Sequence, residues 1–343
     1  MGQDTHACGT KKSWYQKPLS ITLLATALIL SASWFFPFLK PFLTSFIHFW
    51  KLIGWAIVLG IGVAGLIDAL VPSEYISNYL AQPGKKSIFY AAILGFIMSV
   101  CSHGVLAISM ELYKKGASIA SVITFLLASP WANLVITIML IAFFGWKAFA
   151  FILAALIIAI ISGLIYQYLE KAGLIERSQY TVSVPQSFSI KKEVKQRWRA
   201  FDWTFLNIKA VTKSILRGAW NAAHMVLWWI IIGTIIGSAL DAYVPHLIFQ
   251  QYLGPSLLGL MITLIAATLV EVCSEGSAPI AFSIYQQTSA FGNAFIFLMA
   301  GVVTDITEIG LIWTNIGKRA ALWLPMVTVP QALLVAYLFN RFL

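Results

Sequence analysis

Apolar runs separated by short polar stretches make up most of the chain. A membrane-spanning helix needs about 20 predominantly apolar residues, and many of these runs are that long. The alternation of apolar and polar positions that is typical of a barrel strand is absent. The pattern predicts an all-α polytopic membrane protein with about 8 to 10 membrane helices.

The polar stretches divide the chain into five segments. Ten of the 23 Lys and Arg residues lie between Lys171 and Arg217, which is typical of a cytoplasmic loop. We expect a basic amphipathic helix over Lys191 to Arg217, lying along the membrane surface. The predicted segments are a cytoplasmic tail (1–18), a first membrane helix (19–39), membrane repeat 1 (40–169), a basic cytoplasmic linker (170–217) and membrane repeat 2 (218–343).

The two membrane repeats are predicted from an internal alignment. Val100 to Leu134 aligns without a gap onto Val272 to Ile306. Transporters with such repeats build the substrate site where the repeats meet. The aligned pairs are Cys101 and Cys273, Ser102 and Ser274, Gly104 and Gly276, Tyr113 and Tyr285, Asn133 and Asp305 and, upstream, Trp55 and Trp228, Gly60 and Gly233, and Asp68 and Asp241.

The relative orientation of the repeats stays open at this level. If every apolar run crossed, the basic linker would lie opposite the basic N-terminus, contrary to the positive-inside rule. One re-entrant segment per repeat, near Cys101 and Cys273, would give inverted repeats. Alternatively, the first run does not cross and the repeats are parallel.

Glycine and proline residues within the apolar runs predict interrupted helices. Unwound backbone at membrane depth occurs where it lines a cavity or is buried in protein. We therefore expect helix breaks in both repeats near the binding region, at Gly104, Pro130, Gly276 and Pro279.

Composition excludes several classes of protein. With 59% hydrophobic and 10% charged residues, the chain is too apolar for a soluble domain. The net charge of +10 is explained by the linker, so we expect no nucleic-acid partner. No Walker or HExxH sequence occurs, and we expect neither an enzyme nor a cofactor. Three cysteines give no disulfide framework.

Two of those cysteines belong to a candidate metal site. Cys101 with His103 and Cys273 with Glu275 occupy aligned positions in the two repeats. Thiolate and imidazole suit zinc, cadmium, copper or trivalent arsenic, whereas magnesium and calcium prefer oxygen ligands. These four residues are the predicted metal ligands, and Asn133 is a candidate neutral ligand or hydrogen-bond donor. A lone buried cysteine is also a common core residue.

Acidic residues in the second repeat lack nearby cations in sequence. Gly218 to Gly317 contains no Lys or Arg. Glu271 and Glu275, four apart, share a helix face, as do Asp305 and Glu308, three apart. Such pairs at membrane depth need shared protons or cations. We expect proton coupling by Asp305, Glu308 and Glu271, although some of these groups could instead be protonated structural donors.

The motifs resemble those of the predicted-permease family that includes ArsP-like methylarsenite exporters and YraQ-like permeases. They are CSHG at Cys101 to Gly104, followed by KKGAS and FLLASPWAN, and EVCSEG at Glu271 to Gly276, followed by FLMAGVVTDITEIG. The resemblance implies a multi-pass inner-membrane permease of a bacterium or archaeon that moves metals or metalloids, often outward. Many relatives look like CxCG here, whereas this chain has His103 and Glu275, which favours a metal cation.

The leading hypothesis is proton-coupled export of a thiophilic metal or metalloid. The expected partners are this substrate and the lipid bilayer, and a homo-oligomer stays open. The alternatives are methylarsenite efflux, a permease for a small sulfur-containing anion, and an intramembrane redox protein with a reversible disulfide between Cys101 and Cys273.

Overall fold

The chain is helical over almost all of its described length. The structure is a computed structural model that describes residues 18–70, 85–97, 102–114, 116–176, 205–270 and 274–343. No strand occurs in these ranges, so the all-α prediction is confirmed there. The helices are α1 (Pro18–Phe35), α2 (Lys40–Leu70), α3 (Lys85–Ile97), α4 (Ser102–Lys114), α5 (Ile119–Ala132), α6 (Leu134–Phe144), α7 (Lys147–Lys171), α8 (Phe205–Tyr243), α9 (His246–Leu253), α10 (Leu257–Val270), α11 (Ser274–Thr288), α12 (Phe291–Val303), α13 (Ile306–Asn315) and α14 (Lys318–Phe342).

Several of these helices are long and apolar enough to cross a membrane. Among the described residues, four spans meet both conditions: Pro37–Val63, Lys147–Lys171, Phe291–Asn315 and Lys318–Phe342. Counting α5 with α6, bent by 48°, and α8 with α9, bent by 109°, raises the number to six. The prediction of 8 to 10 helices refers to the whole chain, whereas this count covers only the described residues, and residues 98–101 and 271–273 within the runs 87–112 and 256–285 lie outside them.

Helices α5 and α12 occupy the centre of the fold. Every residue of α5 from Ile119 to Trp131 is buried, and α12 is buried over most of its length. Helices α3, α4 and α7 pack around α5, and α10, α11 and α14 pack around α12. Because α5 ends at Ala132 and α12 at Val303, the residues that follow them lie at the ends of the two central helices.

The two groups of helices, α3 to α7 and α10 to α14, share their spacing and their neighbours. Contacts between the groups also come in matching pairs, because α6 contacts α11 and α4 contacts α13. Corresponding helices begin at 85 and 257, 102 and 274, 119 and 291, 134 and 306, and 147 and 318.

Two pairs of corresponding helices run antiparallel. In the pair α2 and α8, Ser45 donates a hydrogen bond to Asp241 at 2.6 Å, whereas Gly65 approaches Ala219 near the opposite ends. In the pair α7 and α14, Lys147 at the start of α7 donates to the carbonyl oxygen of Leu343 at 2.7 Å. At the other end, Glu176 follows α7 and accepts from the first turn of α14.

The four residues predicted as helix breaks lie within described helices, and residues 98–101 and 271–273, just before Gly104 and Gly276, lie outside the described part of the chain. Gly104 lies in the first turn of α4, Pro130 within α5, and Gly276 and Pro279 within α11. Proline removes one backbone hydrogen bond, but the surrounding helices hold α5 and α11 helical through it. A division comes instead at Asn133, whose side chain caps the following helix.

Several predicted segments differ from the structure or lie outside the described residues. The expected surface helix Lys191 to Arg217 is described only from Phe205, where α8 begins and continues unbroken to Tyr243. The boundary at 217/218 thus falls inside a helix. In the segment predicted as the first membrane helix (19–39), α1 ends at Phe35, before Pro37. The predicted tail up to residue 17 lies outside the described residues, as do residues 98–101 and 271–273, near which the re-entrant segments were predicted.

Candidate functional site

A buried hydrogen bond joins the two groups of helices. Asn133, between α5 and α6, donates its side-chain N–H to Oε1 of Glu275 in the first turn of α11, at 2.8 Å. Ser274 donates its hydroxyl to the other carboxyl oxygen of Glu275 at 3.0 Å. Glu275 is 0% exposed and Asn133 is 1% exposed. Two predicted binding residues that are 142 positions apart are thus in direct contact.

The cap at the start of α6 holds Asn133 in place. Its backbone is extended (φ −60°, ψ 126°), and its side-chain oxygen accepts from the Val135 N–H at 2.9 Å. The carbonyl end of the Asn133 amide therefore serves the helix, while its N–H₂ end faces Glu275. The Asn133 side chain therefore caps α6 and also hydrogen-bonds the buried carboxylate of Glu275.

Asp305 occupies the corresponding position at the start of α13. Its backbone angles (φ −59°, ψ 123°) match those of Asn133, and it accepts from the Thr307 N–H at 2.6 Å. Asn and Asp are equally good at this helix position, so the same local structure forms with a neutral amide in one case and a carboxylate in the other. Asp305 is partly exposed.

Glu275 reaches its position because α8 and α11 approach closely. A Cβ atom on Gly233 would overlap the carbonyl oxygen of Gly276, and one on Gly237 would lie 3.2 Å from that of Pro279. The small residues Gly233 and Gly237 thus allow the two helices to pack closely. Gly276 therefore allows close packing of two helices beside Glu275, where the sequence predicted a break.

Glu308 is a second buried carboxylate, in the first turn of α13. It is 1% exposed, and neither carboxyl oxygen has a hydrogen-bond partner among the described residues. A buried polar group without a partner costs about 1 to 3 kcal/mol. Burial of the unpartnered Glu308 carboxyl therefore costs free energy of folding, and a bound proton or cation would offset that cost.

The side chains of four further predicted site residues lie outside the described part of the structure. Cys101, Cys273 and Glu271 lie outside the described ranges, and only the backbone of His103 is described, in the first turn of α4. That helix contacts α13, which carries Glu308. Within the described residues, no group of three or more His, Cys, Asp or Glu side chains is arranged to hold a metal.

A polar network that the sequence analysis did not predict lies at the ends of α8 and α11. Asp241 accepts from Ser45 at 2.6 Å and from Gln287 at 2.8 Å. The oxygen of Gln287 is 2.8 Å from Nδ1 of His246. The signal available was the spacing of Glu275, Ser283 and Gln287, which recur every four or eight residues on one helix face.

Comparison with known proteins gives a family match over most of the chain. Residues 39–341 match the ArsP_1 family, whose description is predicted permease. The match covers all helices from α2 to the last turn of α14. No solved structure matches the chain.

Individual relatives have low sequence identity to this chain, but their alignments cover most of both chains. A UPF0718 protein of Methanocaldococcus jannaschii is 23% identical over 316 residues, covering 78% of this chain and 86% of the relative. The UPF0718 protein YcgR of Bacillus subtilis is 23% identical, covering 77% and 84%. A Streptococcus mutans protein whose name describes a subunit of a two-component membrane permease complex is 24% identical, covering 74% and 79%.

Proposed function

The chain belongs to the ArsP_1 family of predicted permeases and is a multi-pass membrane permease, and we propose that it exports a thiophilic metal ion or metalloid in exchange for protons. The hydrogen bond between Asn133 and Glu275 is the observation that carries the proposal. It places a fully buried carboxylate between the two groups of helices, where transporters built from repeats bind their substrates. The proposed location is the inner membrane.

We assign the cargo ligands to Cys101, His103, Cys273 and Glu275, with Asn133 orienting the Glu275 carboxylate. Thiolate, imidazole and carboxylate together suit a soft or borderline cation. A hydrogen bond to a ligating carboxylate fixes its orientation and tunes its affinity for metal.

An inverted duplication supplies the framework for this site. The equal spacing of the helices in the two groups and their matching contacts support a duplication. The antiparallel course of α2 against α8 and of α7 against α14 supports inversion, because parallel repeats would keep corresponding helices parallel. The repeats are then expected to exchange accessible sides as cargo passes.

Proton coupling is assigned to Asp305, Glu308 and Glu271. Glu308 is buried and has no partner in the described residues, whereas Asp305, three residues earlier, is partly exposed. A proton moving between such positions would change the charge near the cargo. Intramembrane carboxylates often carry protons in this way.

The name of one relative bears on the subunit composition of the permease. Because the Streptococcus mutans relative is named for a two-component complex, a second subunit joins the homo-oligomer among the proposed assemblies. Light scattering after size exclusion, on protein purified from its own host, would separate a single chain, a homo-oligomer and a two-protein complex.

The function can be tested with purified protein in liposomes. We would measure flux of Zn(II), Cd(II), Cu(I), arsenite and methylarsenite with a pH dye inside, for wild type, Cys273→Ser and Asp305→Asn. Asn is as good a helix cap as Asp, so Asp305→Asn removes the charge and keeps the local fold. Cargo flux with counter-moving protons, lost in Cys273→Ser and uncoupled in Asp305→Asn, is the expected result.

Other outcomes point to the alternatives. Transport of methylarsenite alone favours organoarsenical efflux. If nothing in the panel moves, or both variants match wild type, the metal proposal fails. A disulfide trapped between Cys101 and Cys273 would then favour the redox protein. Sulfur-anion flux that is lost in Cys101→Ser and kept in Asp305→Asn would favour the anion permease.

A further inference from the structure

The two groups of helices meet at two interfaces that correspond to each other. At one interface α6 contacts α11, and at the other α13 contacts α4. Helix α13 is the counterpart of α6, and α4 is the counterpart of α11, because they begin at aligned positions. The hydrogen bond between Asn133 and Glu275 lies at the α6–α11 interface.

Helices α2 and α8 together cover the α6–α11 interface. A Cβ on Gly60 of α2 would lie 2.7 Å from the Cα of Val135 in α6. A Cβ on Gly233 of α8 would overlap the carbonyl oxygen of Gly276 in α11. One helix of the α2–α8 pair thus rests on each side of the interface.

Phe49 of α2 packs against both helices of the same interface. Its ring centroid lies 6.1 Å from that of Phe143 in α6 and 6.1 Å from that of Phe282 in α11. The rings of Phe143 and Phe282 stack with centroids 4.4 Å apart, and all three side chains are buried. The α6–α11 interface is therefore closed by apolar contacts with α2.

The α4–α13 interface is not covered in the same way. By symmetry α8 would pack on α13, but within the described residues it packs far less on α13 than on α11. Val135, which α2 contacts, and Met139, one turn further along α6, are 1% and 0% exposed. Their counterparts on α13 are Thr307, which is exposed, and Leu311, which is 37% exposed. The corresponding face of α13 is thus open.

This open face of α13 is suited to close approach by another helix. Thr307, Leu311 and Asn315 are spaced four apart and therefore share one face. A Cβ on the nearby Gly310 would meet nothing within 4 Å. Small residues let membrane helices approach closely, and α8 already uses Gly233 for such an approach to α11.

The exposure of the two helix caps differs in the same direction. Asn133, at the covered interface, is 1% exposed, whereas Asp305, at the start of α13, is partly exposed. Their backbone angles match, so the local structure does not account for the difference. The difference follows the position of the α2–α8 pair.

The α2–α8 pair is itself nearly symmetric. Ser45 bonds to Asp241 near one end of the pair. The counterpart of Ser45 on α8 is Gly218, and the counterpart of Asp241 lies one turn after Gly65 on α2. The structure places Gly65 against Ala219, next to Gly218. Exchanging the two repeats therefore keeps the register of the pair close to the one observed.

We propose that the α2–α8 pair moves as one unit between the two interfaces, and that α8 docks on the open face of α13 in the second arrangement. Gly233 then lies against Thr307, the counterpart of Val135. Gly60 lies against Gly104, the counterpart of Gly276. The inference rests on the inverted duplication in the proposed function and gives the helix movement that exposes each interface in turn.

Crosslinking detects the second arrangement directly. Phe49 and Phe143, which are in contact, have the counterparts Ala222 and Asn315 in the second repeat. A short bifunctional thiol reagent should therefore link Ala222→Cys to Asn315→Cys when α8 lies on α13. The variants are made in the full chain with its native cysteines replaced by serine, and elution as a single species checks that they fold.

Two further cysteine pairs are the controls. Ser45→Cys with Asp241→Cys lies within the α2–α8 pair and should be linked in either arrangement, because these side chains are in contact. Ala222→Cys with Trp313→Cys places the second thiol two residues from Asn315, on a different face of α13. We expect the link of Ala222 to Asn315 to form within one chain, at least about tenfold more than the link to Trp313.

Three results would overturn the inference. In the first, the Ser45 and Asp241 pair is linked but the Ala222 and Asn315 pair is not. In the second, Asn315 and Trp313 are linked to Ala222 equally, which means that α8 has no defined position on α13. In the third, the link joins two chains, which assigns the open face to a second copy of the protein.

A flux measurement tests the role of the movement in transport. Leu311→Trp, with the native cysteines kept, fills the open face of α13 without changing a predicted site residue. We expect about tenfold slower cargo flux in liposomes and unchanged cargo binding in detergent. Leu338→Trp makes the same change on α14, at a side chain that is 42% exposed, and should keep wild-type flux.

Wild-type flux in Leu311→Trp would contradict the role in transport. If wild type moves no cargo while Ala222 is linked to Asn315, the proposed function fails and the movement of the α2–α8 pair stands. If wild type moves cargo while that link is absent, the movement fails and the proposed function stands.

Discussion

At the scale of single residues, Asn133 has two tasks that one substitution can separate. Serine is also a good helix cap, so Asn133→Ser keeps the bond to the Val135 N–H but loses the amide that binds Glu275. Removing a hydrogen bond that orients a metal ligand costs about 10- to 100-fold in affinity. We expect that loss in Cd(II) binding by titration calorimetry, with thermal unfolding close to wild type.

Asn133→Ala is the matched comparison, because it removes both interactions. It should bind cargo as weakly as Asn133→Ser and also be less stable by about 1 kcal/mol, the usual contribution of a cap. Wild-type affinity in the serine variant would remove Asn133 from the site.

Glu308 gives a second residue-scale prediction, in which stability and function move in opposite directions. Its carboxyl is buried with no partner among the described residues. Methionine at this position removes a buried polar group that costs about 1 to 3 kcal/mol. We therefore expect Glu308→Met to raise the unfolding temperature in detergent while cargo flux loses its coupling to protons. A lower unfolding temperature would mean that Glu308 has a structural partner.

The sequence related Asn133 to Asp305, but it did not predict that Asn133 contacts Glu275. Alignment of the two repeats paired Asn133 with Asp305, and their backbone angles agree within a few degrees. Contact between Asn133 and Glu275 depends on how α6 packs on α11, which no local pattern encodes. Gly276 was taken for a break because glycine often ends a helix, whereas here it accommodates Gly233 of another helix.

At the scale of helices, the close approach of α8 and α11 depends on Gly233. A Cβ there would overlap the Gly276 backbone, so Gly233→Ala must push the helices apart and displace Glu275. Overpacking of this kind costs about 1 to 3 kcal/mol. Gly62→Ala is the control, because a Cβ at Gly62 meets nothing within 4 Å and alanine favours a helix by about 1 kcal/mol.

The unfolding temperature of each glycine variant is measured in detergent. We expect Gly62→Ala to be the most stable, wild type to be intermediate, and Gly233→Ala to be the least stable. Flux should fall in Gly233→Ala alone. Equal stability of the two variants would show that α8 can move away from α11 without cost.

Glu176, which follows α7 and caps the start of α14, should make the stability of the protein depend on pH. Glu176 accepts from the backbone N–H groups of Arg319 and Ala320, each at 3.0 Å, at the start of α14. Burial raises the pKa of Glu176, but hydrogen bonds from the backbone, with the Arg319 charge, outweigh it and hold the pKa below the usual value of 4.5. The carboxylate is therefore stabilised in the folded state.

A lowered folded pKa means that this stabilisation is present above the unfolded value and is lost as pH falls through the folded one. Glu176→Gln should be less stable than wild type by about 1 kcal/mol at pH 7. The difference should shrink as pH falls below 4.5, the ordinary value. Unfolding temperatures of both proteins from pH 7 to pH 3 give the comparison, and a constant difference would contradict the cap.

At the scale of the whole molecule, the antiparallel course of α7 and α14 makes a prediction about sidedness. Trp146 precedes α7 and Lys318 begins α14, and both are exposed. The contacts of Lys147 with Leu343 and of Glu176 with Ala320 place the starts of the two helices at opposite ends of the pair. If both helices span the membrane, Trp146 and Lys318 lie on opposite sides of it.

Single-cysteine labelling decides this in oriented vesicles, with Trp146→Cys and Lys318→Cys made in a chain whose native cysteines are replaced by serine. A membrane-impermeant thiol reagent should label one variant in right-side-out vesicles and the other in inverted vesicles. Labelling of both from the same side would contradict inverted repeats. Because alternating access in such transporters depends on two repeats exchanging roles, the same result would also contradict the proposal that Glu275 meets cargo from either side.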